Sequence, residues 1–177
     1  MAFAHDTEAA MQAAVALVNA MEPPSDFDSV EALDRFFHEH GYTGRHDGTA
    51  SELADVRALR GPLRALLTAE RDEAVALTNA LLAEHDALPQ LVRHGDTDWH
   101  IHAIGDDAPL AARIAVETAM SMVDVIRADE LSRLAVCADA DCDGLVLDLS
   151  RNRSKRFCSV TCGNRNAVAA YRARRSG

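Results

Sequence analysis

Cysteine is absent from the first 136 positions of this 177-residue chain, and aromatic side chains make up only 5% of it. Few aromatics beside abundant alanine and leucine favour helices packed through aliphatic faces. No run approaches the ~18 uncharged apolar residues of a membrane-spanning helix, so no membrane association is expected. The stretch MAFAHDTEAAM shows no basic leader followed by an apolar segment, which argues against secretion and makes the cytoplasm the expected location. Internal repeats and low-complexity tracts are also missing. So are a Gly-rich phosphate loop, a G-x-S-x-G elbow and an H-E-x-x-H helix. Without such a motif, no enzymatic activity is expected.

Charge of one sign is missing as well. Residues 151–177 contain no aspartate or glutamate, but they carry Arg151, Arg153, Lys155, Arg156, Arg165, Arg172, Arg174 and Arg175. Residues 1–150 hold all 28 acidic side chains against ten basic ones, a net of −18. An acidic body repels nucleic acid, whereas a basic end held by a folded scaffold can bind phosphates. The change of sign predicts two parts with different tasks.

What is present reads as an α+β chain, mostly α. Residues 7–21 carry Met11, Val15 and Val18 on one helical face. Pro23-Pro24 ends that helix, and Ser25 or Asp28 is the expected cap of the next, near 28–40, which Gly41 stops. A helical stretch from Ser51 carries Leu53, Val56 and Leu59, with a break or kink at Gly61-Pro62 before Leu63 to Leu67 resume it. Residues 72–86 form another helix with Leu77, Leu81 and Leu82 as core candidates. Alternation over 90–94 and 98–104, around Gly95-Asp96-Thr97, predicts a β-hairpin. A long helix over 108–134, opened by Asp107 and Pro109, carries Ile114, Met120 and Val125 inward and runs directly into Cys137.

The four cysteines have the spacing C-x4-C-x15-C-x3-C at Cys137, Cys142, Cys158 and Cys162. Two close pairs separated by a dozen or more residues suit tetrahedral zinc, each pair supplying two corners. Reduced thiols are expected in the cytoplasm, which favours metal over disulfides. Four thiolates leave no open position, so the ion is structural. A segment this short buries little apolar surface, and metal binding supplies folding free energy on the order of 10 kcal/mol. Between the pairs, Gly144 to Asp148 fits a strand, and the polar turn 150–154 returns the chain as a second strand ending at Phe157. Cys158 and Cys162, at i and i+4, share one face of a following helix. The expected unit is a knuckle, a hairpin and a helix around one zinc ion.

The run Cys162-Gly163-Asn164-Arg165, with Leu147 to Asn152 and Arg156 to Ser159 before it, resembles the CGNR zinc finger, a C-terminal module of bacterial proteins. Val18-Asn19 and Thr78 to Leu82 resemble patches of the ABATE domain that accompanies it. The spacer Ser159-Val160-Thr161 is one residue shorter than the family commonly has, and Phe157 stands where it tends to carry tryptophan. The resemblance implies an ABATE-like regulatory domain over 1–133, a zinc finger over 134–177, and a stress-induced transcription regulator that binds DNA through its basic helix. The N-terminal part is then expected to sense a small-molecule ligand or to form a homodimer.

On a helix from Cys158 to about Arg174, Cys162, Arg165 and Ala169 lie toward the zinc, so Arg165 is expected to brace the fold by binding carbonyls. Val168 and Tyr171 are expected to pack on the main domain. Arg172, Arg174 and Arg175, with Arg151, Arg153, Lys155 and Arg156 in the turn, are the candidate phosphate contacts. The zinc–thiolate centre carries about −2, and Asp139, Asp141, Asp143 and Asp148 lie nearby, which leaves the module near +2 and predicts a modest salt dependence. An acidic protein partner in place of DNA is the alternative. His100 and His102 share one strand face, with His94 placed to lie across the hairpin. They form either a second metal or ligand site or, as expected here, an exposed polar face opposite Trp99 and Ile101.

Overall fold

A computed structural model describes residues 3–22, 25–93 and 99–176. The Pro23-Pro24 stop, the Gly95-Asp96-Thr97 turn and His94 lie outside the described residues. The elements in chain order are α1 (His5–Ala20), α2 (Val30–Glu39), α3 (Ala50–Ala58), α4 (Arg60–Thr68), α5 (Arg71–Glu84), β1 (Gln90–Val92) and β2 (His100–His102). After these come α6 (Leu110–Arg127), a 3-10 turn (Leu131–Arg133), β3 (Leu134–Val136), β4 (Leu145–Leu147) and α7 (Val160–Ser176). The fold is mostly helical with two small antiparallel hairpins, β1–β2 and β3–β4.

Helix α6 is central and contacts α1, α3 and α5. Its side chains are buried around much of its circumference, including Leu110, Ile114, Ala115, Ala119, Met122 and Val125. Met120 is only half-buried. Helix α1 faces the core with Met11, Ala14, Leu17 and Val18, none of them exposed to solvent. Helix α5 docks through small side chains: Ala74 and Thr78 are buried, while the expected core candidates Leu77, Leu81 and Leu82 are only half-buried. Small residues at a helix contact let the axes approach, and the longer leucines then reach past the contact.

Ser29 and Thr49 cap α2 and α3, not Ser25, Asp28 or Ser51; their side chains accept from the N–H groups of Ala32 and Glu52. The Ser25 hydroxyl instead donates to the Ala20 carbonyl behind α1. Gly41 has φ +69° and ends α2 as expected. The break before Gly61-Pro62 falls at Leu59, so the proline lies in the first turn of α4, where its missing N–H costs no hydrogen bond.

Two elements depart more strongly from expectation. Helix α6 stops at Arg127; Asp129 has φ +57°, and the chain reaches Cys137 through the 3-10 turn and β3. The hairpin β1–β2 forms as expected, with Leu91 opposite Ile101 in the observed register, but its faces are reversed. Trp99 is 63% exposed and Leu91 67%, whereas His100 and His102 are half-buried against the body. There they line a cavity of mixed character with Thr7, Glu117 and Asp124 and with Ala9, Ala10 and Ala13 of α1.

Candidate metal centre and its junction with the helical body

The four cysteines are brought together by three local structures. Hairpin β3–β4 pairs Leu134 with Leu147 and Val136 with Leu145, so the chain that leaves β3 must turn sharply before β4. That turn carries Cys137 and Cys142. The expected return strand ending at Phe157 is not formed: β4 pairs with β3 along one edge, and side chains of Asn19 and Lys155 take the carbonyls of Leu145 and Leu147 along the other. Residues 148–156 make a polar turn instead, held by Asp148, whose Oδ1 accepts from Ser150 N (2.8 Å) and Oδ2 from Lys155 N (2.6 Å). Ser150 and these N–H groups keep the Asp148 carboxyl below the usual carboxylate range. The turn delivers Cys158 to the knuckle, where the Ala138 N–H donates to the Arg156 carbonyl at 2.8 Å. Cys158 precedes helix α7 and is not on it. Ser159 accepts at the helix start, its hydroxyl oxygen from Cys162 N and its carbonyl from Gly163 N.

All four sulfur atoms lie within 4.8 Å of one another, and none is in a disulfide. The Cys142–Cys158 and Cys158–Cys162 sulfur separations are 3.5 and 3.8 Å. Tetrahedral zinc with Zn–S bonds of about 2.3 Å requires sulfur separations of about 3.8 Å. Backbone N–H groups of Gly144 and Cys158 point at Cys142 Sγ and Cys137 Sγ, each at 3.4 Å, as donors that stabilise thiolates. Burial first, then the neighbouring sulfurs, pushes the Cys158 thiol up to about 12, so a cation is what would make this cluster ionise together. The donor set fits one structural zinc ion held by Cys137, Cys142, Cys158 and Cys162.

Strand β4 shows how this centre joins the body. All three of its residues are buried. Leu145 and Leu147 belong to the main hydrophobic core, while Val146, on the opposite face, packs with Cys137, Cys162 and Phe157. One strand therefore serves two cores. Asn19 of α1 grips the same strand by its backbone: Nδ2 donates to the Leu145 carbonyl (2.9 Å) and Oδ1 accepts from Leu145 N (2.6 Å). Arg64 of α4 donates to the Asp143 carbonyl at 2.7 Å. Arg133, 8% exposed, donates to the carbonyls of Asp148 and Ser150 and pairs with Glu130. Nothing in the sequence singles out Asn19, Arg64 and Arg133 as site residues. A lone Asn or Arg has no periodic or spacing signature; Asn19 was marked only by the resemblance of Val18-Asn19 to an ABATE patch, which gave it no role.

The motif residues Gly163, Asn164 and Arg165 lie in the first turns of α7. Arg165 braces the fold, through a carboxylate and not the expected carbonyls. Its Nε is 2.9 Å from Oδ2 of the buried Asp139, an ion pair whose N–H is not aligned on the oxygen. It also reaches Cys162 Sγ at 3.7 Å. Asp139 first, with Asp141 contributing, holds the guanidinium above its ordinary pKa. Gly163 faces Phe157, and Asn164 is exposed.

Beyond Asn166 every described side chain of α7 is exposed, including Val168 (48%) and Tyr171 (54%), which do not pack on the body as expected. Arg172, Arg174 and Arg175 are exposed on this projecting helix, with Arg175 over the Tyr171 ring. Arg151 and Arg156 are exposed in the turn; Lys155 Nζ reaches the Leu147 carbonyl at 3.3 Å. Arg153 is bound to Glu130 at 2.7 Å and to Ser132.

Among the described residues, no helix is long and apolar enough to cross a membrane. A comparison with curated proteins found no match. Residues 133–175 match the CGNR zinc finger, in agreement with the sulfur cluster and the basic helix. Residues 8–129, more than half of the chain, match the ABATE family, described as "Putative stress-induced transcription regulator". The chain belongs to the ABATE family and carries a CGNR zinc finger at its carboxy-terminal end.

Proposed function

We propose that this protein is a non-enzymatic, cytoplasmic transcription regulator that contacts DNA through its zinc-stabilised module, while the N-terminal domain senses a ligand or dimerises. The observation that carries the reading is α7: a helix rooted in a metal centre, projecting from an acidic body, with its exposed end basic and no acidic residue after Asp148. Arg172, Arg174 and Arg175, with Arg151 and Arg156 in the turn, supply the phosphate contacts. Arg153 and Arg165 serve the fold instead, since each is committed to a carboxylate. Coupling between the two parts runs through α1, whose Asn19 holds β4 beside the metal centre, and not through α6, which ends ten residues before Cys137.

A gel-shift assay of zinc-loaded protein on random duplexes at low salt tests this. Retardation is expected, and Arg172→Ala/Arg174→Ala/Arg175→Ala should weaken it and flatten the log–log salt dependence by about 0.9 for each phosphate left unneutralised. Absence of retardation, or equal binding by the triple variant, refutes DNA contact through α7. The exposed Val168 and Tyr171 on the same helix favour a second reading, an adaptor that docks on an acidic protein; DNA-independent binding that Tyr171→Ala abolishes would select it.

A further inference from the structure

A cavity of about 220 Å3 lies between α1, the turn after α2, β2 and α6. The reversed hairpin supplies one wall, with the Nε2 atoms of His100 and His102 3.1 Å apart. Ala9, Ala10 and Ala13 of α1 and Met120 of α6 give it apolar lining. Among its lining residues there is no lysine or arginine, but there are three carboxylates, Asp6, Glu117 and Asp124. Two of these are already engaged: Asp124 accepts from the Thr7 hydroxyl at 2.7 Å and Asp6 from the Thr7 N–H at 3.0 Å. The Glu117 carboxylate accepts no hydrogen bond from any described residue. Arg113, whose charge acts on Glu117, is turned to the carbonyls of Thr43, Arg45 and Ala108. The turn's own basic group, His40, is kept neutral by burial, which lowers its pKa.

We propose that this cavity binds a small organic cation, a primary or secondary ammonium compound, with Glu117 as its counter-ion. The inference rests on reading the N-terminal domain as a sensor, and it supplies that sensor's ligand class. An ammonium gives Glu117 the charge-assisted hydrogen bonds that it lacks in the protein. Its methylene carbons fit the alanine and Met120 lining. An anion would meet three carboxylates and no lining lysine or arginine. The volume, below the ~300–1,000 Å3 of pockets for drug-sized molecules, restricts the ligand to a few carbons.

Calorimetry on the full-length, zinc-loaded chain at about pH 8, where Glu117 is ionised, tests this with n-butylamine, putrescine and n-butyrate as probes. At least one amine should bind and butyrate should not, and Glu117→Gln should cost about tenfold or more in amine affinity with zinc content unchanged. If neither amine binds, if butyrate binds as tightly, or if Glu117→Gln binds amine as well as the parent, the assignment is wrong. A gel shift with saturating amine separates the two readings. Altered DNA affinity links the cavity to regulation, whereas unaltered affinity with amine bound removes the sensor reading and leaves the site.

Discussion

A methyl group on residue 144 would sit 2.9 Å from Cys158 Sγ and 3.3 Å from Cys142 Sγ, too close to both. Glycine is required there by crowding among sulfurs, not by backbone conformation. Gly144→Ala should therefore push the ligands apart and cost about 10- to 100-fold in zinc affinity, read by competition with a chromophoric chelator. Glu117 offers a second residue-level test. Burial first, with Asp106 adding and Arg113 opposing, raises its carboxyl from 4.5 to about 7. The folded protein holds that proton more tightly than the unfolded chain does, so its contribution to stability is full below pH 4.5 and is lost as pH rises through about 7. The loss is at most roughly 3 kcal/mol. Glu117→Gln removes the titration and should raise the thermal midpoint by several degrees near pH 8, with little change near pH 5; a lower midpoint at pH 8 would contradict this account.

At the scale of elements, the β1–β2 hairpin shows that an alternating pattern defines two faces without saying which one is inside. Trp99 is the only tryptophan, so the orientation can be read directly from its fluorescence. With the ring 63% exposed, emission should lie close to that of free indole in water, and acrylamide should quench it efficiently. A blue-shifted, protected emission would mean that the hairpin sits the other way and that the histidines face solvent. Helix α1 makes a related point: its apolar positions follow the helical period, while Asn19 at its end binds β4 edge-on. Asn19→Ala leaves the buried N–H and C=O of Leu145 without these partners and should cost about 1–3 kcal/mol in urea unfolding, with faster proteolysis after β4.

For the whole molecule, the zinc module and the helical body share hydrophobic core through Leu145 and Leu147. Removing the metal should then do more than unfold a tail. With zinc bound, one cooperative thermal transition is expected. Chelation should lower its midpoint and also relax the body, seen as a decrease in helical circular dichroism greater than α7 alone contributes. Two separate transitions, with the first alone sensitive to chelator, would show that the parts are energetically independent.

The sequence by itself determined what depends on local chemistry. The C-x4-C-x15-C-x3-C spacing specified the metal and its ligands, the helical periods of α1 and α6 marked residues such as Met11 and Ile114, and the charge asymmetry placed a basic segment beside the cysteines. Tertiary structure decided what depends on pairing partners and on which surface lies opposite. The segment after the 150–154 turn was expected to return as a strand ending at Phe157, but β4 pairs with β3 along one edge and is held by Asn19 and Lys155 along the other. The α6 pattern could extend to 134, yet Asp129 adopts a left-handed turn, and Arg133 and Leu134 then pack beside β4 and end the helix. The histidines of β2 face the body, where they line one cavity with Glu117 and Asp124, residues distant in sequence. Such choices compare competing partners across the fold, and no window of neighbouring residues contains that comparison.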